Sequence, residues 1–284
     1  MRARALHADA IVVTSALLQV NCVVLRGPAG PGEGGDGGPL GVVEVPAGGA
    51  PGAETFVVDS PVLPEELELM PSLLGQAGFP APSGLLATHA DWDHVLGPLA
   101  FPGAPLGMAE SSARRLAAEP GAAQRELRSF DEELYIERER PLALGAPQAL
   151  PVPGRLDIGA RELELHETGG HTADGMAILA PWAGVLVGGD YLSAIEIPMI
   201  SPGGGVDAYL ATLERLRVLL ARAEHIVPGH GPVLDRERAA EVLGEDAAYL
   251  RALAERGAGA ELPAGRRSRE MRRVHERNVA SLPG

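Results

Sequence analysis

Four apolar stretches of the chain each end in a turn that carries histidine or aspartate. "GLLAT" leads into "HADWDH" at residues 89–94, and "HETGG" leads into His171. "VLVGG" is followed by Asp190, and "HIVPG" is followed by His230. A rigid sheet can bring loops from distant parts of a sequence to one place, because it fixes the points from which the loops start. The pattern therefore predicts strands whose terminal loops converge on one functional site.

Short β-branched runs alternate with amphipathic segments along the chain, which predicts mixed α and β structure. The runs that predict strands are "AIVVTSALL", "NCVVLRG", "GVVEV", "TFVVDS", "SGLLAT", "RLDIG", "RELELHET", "GMAILAP", "AGVLVGGD" and "EHIVPGHG". The segments that predict helices are residues 64–77, 109–118, 206–221 and 235–256. The glycine-rich residues 27–39 predict a hairpin tip, because no helical pattern follows them as a phosphate-binding loop would require.

Two charged segments stand apart from this alternation. Residues 119–140 predict an amphipathic helix inserted as a lid, with a solvated surface helix as the alternative. The apolar residues of this segment recur at helical spacing: Leu127, Phe130, Leu134 and Tyr135. The arginine-rich residues 257–284 predict a basic C-terminal helix or arm, which is compatible with a solvated helix or with a subunit contact in a homodimer.

Composition narrows the classes of partner. The net charge of −14 arises from 38 acidic residues against 24 basic ones, all of them arginine, and such a surface repels nucleic acid. The single cysteine, Cys22, excludes an internal disulfide and a cysteine-based zinc finger, and its apolar surroundings predict a buried side chain. No apolar run is long enough to span a bilayer. We therefore expect a cytoplasmic protein that acts on a small molecule, without nucleic-acid or membrane partners.

The residues in the strand-end turns carry groups that bind metal ions. They are His89, Asp91, Asp93, His94, His171, Asp190 and His230. Imidazole and carboxylate groups in this number are sufficient for two cations, with one carboxylate free to bridge them. Thr88 and Thr172 stand beside ligands and are predicted to hydrogen-bond to them. Trp92 is predicted to line the pocket or to pack against the next helix, and Tyr191 to face either the substrate or the core.

The separated motifs resemble those of the metallo-β-lactamase superfamily, which read H-x-H-x-D-H followed by a distant histidine, a bridging aspartate and a last histidine. The likeness runs from about residue 10 to residue 256 and implies a four-layer αββα sandwich, with one catalytic domain over residues 1–256 and a helical extension over 257–284. The resemblance implies that His89, residue 91 and His171 bind a first metal ion. It implies that Asp93, His94 and His230 bind a second, and that Asp190 bridges them.

Asp91 departs from this pattern, since the motif has histidine at that position. Aspartate is a harder and anionic ligand, so it adds one negative charge to the site and favours iron or manganese more than imidazole does. Within the superfamily, the flavin-linked di-iron proteins also place a carboxylate here. Zinc accepts aspartate readily, so two zinc ions remain the favoured occupants, ahead of iron or manganese and of a single stable ion.

The resemblance implies a metal-dependent hydrolase in which a hydroxide between two cations attacks the substrate. Asp93 is predicted to be catalytic by orienting that hydroxide as well as binding metal. Family analogy favours a small-molecule ester, thioester or lactone as substrate. The alternative is an iron-dependent oxidoreductase of the same superfamily, of the di-iron or persulfide-oxidising type. A non-catalytic binding protein is disfavoured, because all seven ligand positions carry coordinating groups.

Overall fold

The computed structural model describes residues 1–29 and 52–282 of the chain. Within these two ranges, the larger sheet contains seven strands, which lie side by side in the order of the sequence. These strands are β1 (Arg2–His7), β2 (Ala10–Thr14), β3 (Asn21–Gly27), β4 (Glu54–Val58), β5 (Gly84–Ala87), β6 (Leu106–Ala109) and β7 (Gln148–Leu150). The first four strands pair antiparallel, and β4 to β7 pair parallel.

The second sheet contains five strands in the spatial order β12-β11-β10-β9-β8. These strands are β8 (Gly154–Ile158), β9 (Arg161–Glu167), β10 (Met176–Ala180), β11 (Val185–Gly189) and β12 (His225–Pro228). All neighbours are antiparallel except β11 and β12, which are parallel. The backbone N–H of Asn21 donates to the carbonyl of Gly229, which links the two sheets near the end of β12.

Seven α-helices are found in the described residues. They are α1 (Pro64–Gln76), α2 (Gly97–Ala100), α3 (Glu110–Ala118), α4 (Ala122–Leu134), α5 (Val206–Leu220), α6 (Arg236–Arg256) and α7 (Arg269–Ala280). Local sequence explains where several of them begin. Pro64 occupies the first turn of α1, where its missing N–H costs nothing, and the Asp235 carboxylate caps α6 by accepting from the N–H of Arg238. No helix among residues 1–29 and 52–282 combines the length and apolarity needed to cross a membrane.

Three apolar clusters show that the molecule is a four-layer αββα sandwich. Successive residues of one strand point to opposite faces, so Val12 packs between the two sheets while Val13 packs toward α1 and α4. On the second sheet, Ile178 packs between the sheets and Leu179 packs toward α5 and α6. Burial of each such side chain stabilises the fold by about 1.5–3 kcal/mol. The predicted fold class is therefore confirmed.

The observed strands differ from the predicted ones at the sheet edges and at one central strand. β1 and β7 were not predicted, because both are edge strands whose exposed residues show no apolar run. The buried central strand β6 was not predicted either, because its four residues "LGMA" contain no β-branched side chain. The predicted strand "GVVEV" and most of the predicted hairpin tip at 27–39 lie outside the described residues. Cys22 is fully buried on β3, as its apolar neighbours predicted.

The charged segment at 119–140 contains α4 and the loop that follows it. Leu127 is buried and Phe130 is half-buried, in agreement with an amphipathic helix. The expected continuation of this apolar face to Leu134 and Tyr135 is wrong, because the helix ends at Leu134. Tyr135 has a left-handed backbone (φ 55°) that turns its side chain into solvent, where 94% of it is exposed.

The arginine-rich tail folds back onto the second helical layer. The hydroxyl of Ser268 caps α7 by accepting from the N–H of Met271, at 3.1 Å. Met271 and Val274 are buried in the cluster formed by α5 and α6. Arg266, just before the helix, is one of the most deeply buried side chains of the molecule. The tail therefore forms part of the packed structure.

Candidate metal centre

The loops after β5, β9, β11 and β12 meet at one edge of the sandwich and bring all seven predicted ligands together. Within the described residues, their ligand atoms form three overlapping groups: His89, Asp91 and His171; Asp93, His94 and His230; and His89, His94 and Asp190. The first two groups match the two ligand sets that the resemblance implied. Four imidazoles and three carboxylates form a donor set that suits zinc, iron or manganese.

The first group is arranged around one oxygen of Asp91. This oxygen, Oδ2, lies 3.2 Å from Nε2 of His171 and 3.5 Å from Nε2 of His89. The carboxylate at the unusual position therefore reaches the ligand cluster, although aspartate is shorter than histidine. Asp91 therefore remains close enough to His89 and His171 to bind the same metal ion.

The second group is arranged around Asp93. Its Oδ2 lies 3.4 Å from Nε2 of His230 and 3.8 Å from Nε2 of His94. The two imidazole nitrogens are 3.4 Å apart, close enough to bind the same small cation. A short 3-10 turn at Trp92–His94 follows Asp91, so one loop contributes Asp91 to the first group and Asp93 with His94 to the second.

Asp190 lies between the two groups and faces both of them. Its Oδ1 is 3.1 Å from Nε2 of His94, and its Oδ2 is 3.3 Å from Nε2 of His171. Gly229 allows this position, because a β carbon there would collide with Oδ1 of Asp190 and crowd the His94 ring. The glycine of the "PGH" turn therefore has a steric role in the site.

Each of the four histidines directs Nε2 into the cluster and uses Nδ1 for an outer contact. Nδ1 of His171 lies 2.9 Å from the carbonyl of Met199, and Nδ1 of His230 lies 2.9 Å from the carbonyl of Leu18. A carbonyl can only accept, so both rings keep a proton on Nδ1, and Nε2 is the nitrogen that can bind a metal ion once it is deprotonated. Such outer hydrogen bonds orient metal-binding imidazoles and increase their basicity.

Asp59, at the end of β4, fixes the remaining two histidines and was missed by the sequence interpretation. Its Oδ2 accepts from Nδ1 of His94 and from the hydroxyl of Thr88, both at 2.9 Å. The Thr88 oxygen lies 3.1 Å from Nδ1 of His89, so one carboxylate supports a ligand of each group. The signal was present in "TFVVDS", where an aspartate follows an apolar run as the recognised ligands do.

Arg115 on α3 was also missed, and it lies behind Asp91. Its Nη1 forms an ion pair with Oδ1 of Asp91 at 2.7 Å and donates a hydrogen bond to Oδ1 of Asp174 at 2.9 Å. Burial alone would raise the pKa of Asp91, but His89 and His171 hold it well below its usual range. Burial likewise would lower the pKa of Arg115, and the two carboxylates raise it instead. No feature of the local sequence around Arg115 indicated this contact.

The carboxylates make the cluster strongly favourable for positive charge. Burial alone would lower the pKa values of the imidazoles, yet hydrogen bonding to Asp91 and the charge of Asp190 raise the pKa of His171 to about 9. Asp190 raises the pKa of His230 to about 10 in the same way. The histidines in turn hold the pKa of the buried Asp190 well below its usual range. Divalent cations would supply the positive charge that these groups favour.

Two buried ligand atoms test whether a metal fits. Among the residues that the structure describes, neither Nε2 of His89 nor Oδ1 of Asp190 makes a hydrogen bond of acceptable geometry. Oδ1 of Asp91 makes none either, although it forms an ion pair with Arg115. Buried polar atoms normally have a partner, and the His89 and Asp190 atoms belong to the overlapping ligand groups. The donor set and these atoms therefore fit metal ions bound between the two groups.

A cavity of about 400 Å³ opens onto the cluster. Its apolar wall is formed by Trp92 and Phe130 on one side and by Met271 and Val274 of α7 on the other. The Trp92 and Phe130 rings contact each other at a tilt of 41°, with their centroids 4.6 Å apart, so Trp92 both lines the pocket and packs against α4. Glu196 lies in the same wall, and burial together with the charges of Asp190 and Asp93 raises its pKa to about 7.

The remaining predictions near the site have mixed outcomes. Thr88 contacts a ligand, as predicted, whereas the Thr172 hydroxyl donates to the carbonyl of Asp174 instead. This prediction for Thr172 is wrong because its side chain closes a local turn. Tyr191 is buried, and its hydroxyl accepts from the backbone N–H of His171, so it supports the ligand loop from the core side.

Two facing sheets with a His/Asp cluster at their strand ends define an αββα protein with a candidate dinuclear metal site. The family model of the metallo-beta-lactamase superfamily matches residues 51–230 of the chain. This match covers more than half of the sequence, and the chain belongs to the metallo-beta-lactamase superfamily. A search among curated proteins found no match.

Solved structures show the same fold at low sequence identity. The metallo-beta-lactamase family protein TTHA1429 from Thermus thermophilus is 23% identical, with a TM-score of 0.61 over 88% of this chain and 83% of that one. A metallo-beta-lactamase from Pontibacter korlensis is 16% identical, with a TM-score of 0.58 over 86% of this chain and 97% of that one. The BLEG-1 B3 metallo-beta-lactamase is 19% identical, with a TM-score of 0.56 over 82% of this chain and 96% of that one.

Metal binding is expected to strengthen as the pH rises from 6 to 9. His171 and His230 have pKa values of about 9 and about 10, so both hold protons at neutral pH that compete with a metal ion. Raising the pH removes this competition, and the apparent affinity should increase by up to about tenfold per pH unit for each proton displaced. Chelator competition at several pH values measures the affinity, and calorimetry in different buffers measures the protons released.

The matched control is His166→Ala, which removes a histidine that lies on β9 outside the ligand groups. This variant should keep the wild-type dependence of metal affinity on pH. An affinity that stays flat or falls between pH 6 and 9 would contradict the prediction.

Proposed function

We propose that this protein is a metal-dependent hydrolase of a small-molecule ester, thioester or lactone, with two divalent metal ions held by the seven candidate ligands. The observation that carries the proposal is the position of Asp190, whose two oxygens face both ligand groups beside an open cavity. Two ions at this place would activate water for attack and polarise the carbonyl of the substrate.

Side chains of this protein could bind both metal ions and orient the attacking water. His89, Asp91 and His171 would bind one ion, and Asp93, His94 and His230 the other. Asp93 lies at the cavity, so its carboxylate can also orient the attacking water and accept its proton. The hydroxyl of Ser193, which also lines the cavity, donates to the carbonyl of His230 and is thereby committed to support of the ligand loop. Water is therefore favoured over Ser193 as the nucleophile.

The cavity supports a small organic substrate. Its volume of about 400 Å³ suits a small molecule, and its aromatic and methionine wall provides an apolar surface for the acyl or alcohol portion. Glu196, Glu270 and Glu126 surround the opening with only Arg277 as a nearby arginine in the lining. This charge balance disfavours polyanions, so we favour carboxylic ester, thioester and lactone substrates over phosphodiesters.

The proposal predicts metal-dependent turnover in a defined substrate screen. Metal-stripped protein is reconstituted with zinc, manganese or iron and assayed with ester, thioester, lactone, β-lactam and phosphodiester substrates. We expect hydrolysis of at least one of the first three classes, its loss on chelation and its return on addition of metal. A variant of the exposed Asp157 on β8, Asp157→Asn, is the control and should retain activity. Turnover confined to β-lactams or phosphodiesters would overturn the substrate class.

An iron-dependent oxidoreductase is the second candidate, and the composition of the first ligand group favours it. His89, Asp91 and His171 supply two imidazoles and one carboxylate, the set that binds iron(II) in many non-haem oxygenases. Metal analysis and a UV-visible spectrum of the purified protein separate the two functions. Stoichiometric zinc in a colourless protein supports the hydrolase, whereas bound iron with oxygen consumption supports the oxidoreductase.

A further inference from the structure

The carboxylate of Asp91 has two different environments. Its Oδ2 faces His171 and His89, at 3.2 and 3.5 Å. Its Oδ1 lies 2.7 Å from Nη1 of Arg115, as an ion pair. The side chains of Asp91 and Arg115 are 18% and 26% exposed, so solvent screens this ion pair less than a surface pair.

Arg115 is itself held by a second carboxylate. Its Nη1 donates to Oδ1 of Asp174, and the other oxygen of Asp174 accepts from the N–H of Ala90 at 3.0 Å. Ala90 lies between the ligands His89 and Asp91, so Asp174 anchors both the ligand loop and the guanidinium behind it. Without Arg115, the carboxylates of Asp91 and Asp174 would face each other in a largely buried place, where like charges repel strongly.

The charges of these three side chains explain how the site tolerates aspartate at a histidine position. Asp91, Arg115 and Asp174 together carry one net negative charge. Asp174 alone beside a neutral histidine would carry the same charge. Arg115 thus offsets the charge that Asp91 adds to the motif.

We propose that Arg115 is a positioning residue for the first metal ion, and that Asp91 and Arg115 together replace the neutral histidine of the motif. The ion pair occupies Oδ1, which restricts Asp91 to binding the metal through Oδ2. It also offsets the added negative charge, which keeps the electrostatic balance between the two ligand groups. This inference rests on the proposed metal site.

A double-mutant cycle on metal affinity tests the pairing. The variants are Arg115→Met, Asp91→His and the two combined, and the probe is zinc alone, titrated against a chromophoric chelator. We expect Arg115→Met to lower the affinity for one of the two zinc ions by about 10- to 100-fold and the affinity for the other by about twofold or less. Asp91→His should also weaken binding of that ion, because it leaves the guanidinium beside the metal with Asp174 as its remaining carboxylate partner and removes one negative charge from the site. The combined variant should bind it more tightly than either single variant.

Two controls separate positioning from general stability. Arg138→Met removes an arginine that is more buried than Arg115 and forms an ion pair with Asp131 at 2.7 Å, outside the ligand groups, and it should leave both zinc affinities unchanged. Arg115→Lys keeps the charge and should retain most of the affinity, because the contact with Asp91 is an ion pair. Thermal melts of the metal-free variants report any loss of folding separately.

The outcomes distinguish this inference from the function on which it rests. Failure of the wild-type protein to bind any metal would overturn the proposed site itself. Zinc binding by the wild type together with unchanged affinities in Arg115→Met, or with purely additive effects in the combined variant, would overturn the pairing alone. An equal loss of affinity for both zinc ions in Arg115→Met would overturn the assignment of Arg115 to the first group.

Discussion

Asp190→Ala is expected to lower kcat/KM by roughly 10³-fold, well beyond the roughly 10- to 100-fold that loss of an outer partner of a metal ligand costs. Asp190 is the member of the seven candidate ligands whose oxygens face both groups, at 3.1 Å from His94 and 3.3 Å from His171. Its removal therefore takes a ligand from both ions at once, along with the negative charge between them. Steady-state kinetics with the substrate found in the screen and metal analysis of the purified variant measure the two effects.

The comparison with Asp190→Asn separates shape from charge. Asparagine keeps the size of the side chain but is a weaker, neutral ligand, so we expect loss of metal and activity close to that of the alanine variant. The surface variant Asp157→Asn makes the same chemical change on β8 and should behave as the wild type. Retention of two ions and near-normal activity in Asp190→Ala would show that Asp190 does not bridge the ions.

Arg266→Ala is expected to lower the free energy of unfolding by about 3–5 kcal/mol, the cost of breaking a buried ion pair by removing one partner. The Arg266 side chain is 1% exposed, and its Nη1 contacts the carboxylate of Asp246 on α6. The same nitrogen donates to the carbonyls of Ser193 and Glu196, at 3.1 and 2.8 Å. Its loss removes this donor from the Asp246 side chain, from the buried carbonyl of Ser193 and from the partly buried carbonyl of Glu196. Urea denaturation measures the change.

A double variant tests whether the broken ion pair causes the expected loss of stability. Replacing both residues, as Arg266→Met with Asp246→Leu, removes the unpaired charge and should recover part of the lost stability. Arg273→Ala changes an exposed arginine of α7 and should alter the free energy of unfolding by about 0.5 kcal/mol or less. A loss below about 1 kcal/mol in Arg266→Ala would contradict the prediction, because it would equal the loss of an ordinary hydrogen bond.

The candidate ligands could be predicted from the sequence because each follows a strand that is visible as an apolar run or, before His171, as an alternating one. Their supporting partners could not, because those contacts join residues far apart in the chain. Asp59 and His94 are separated by 35 positions, and Arg115 and Asp174 by 59. Asp59 carried a local signal of its own, an aspartate at a strand end. Arg115 is an ordinary helical residue by sequence, and only the packing of α3 beside the site reveals its contact.

The same distinction applies to the fold. Central strands such as β3 and β10 are buried on both faces and are recognisable by their composition. β1 is recognisable only by its pairing with β2, since its residues "RARALH" are exposed. The tail was predicted as a helix, but its packing depends on Arg266, whose partners lie on α6 and in the loop that ends at residue 205. A basic composition alone does not indicate a buried arginine.

Most of the apolar wall of the cavity and the candidate ligands belong to different parts of the structure, with Trp92 of the ligand loop as the exception. The ligands lie in loops at the ends of strands, whereas Phe130 comes from α4 and Met271 and Val274 come from α7. Substitutions on these two helices can change which molecules fit without moving a ligand. Evolution can therefore vary the choice of substrate and the reaction chemistry independently, as two separately adjustable properties of one scaffold.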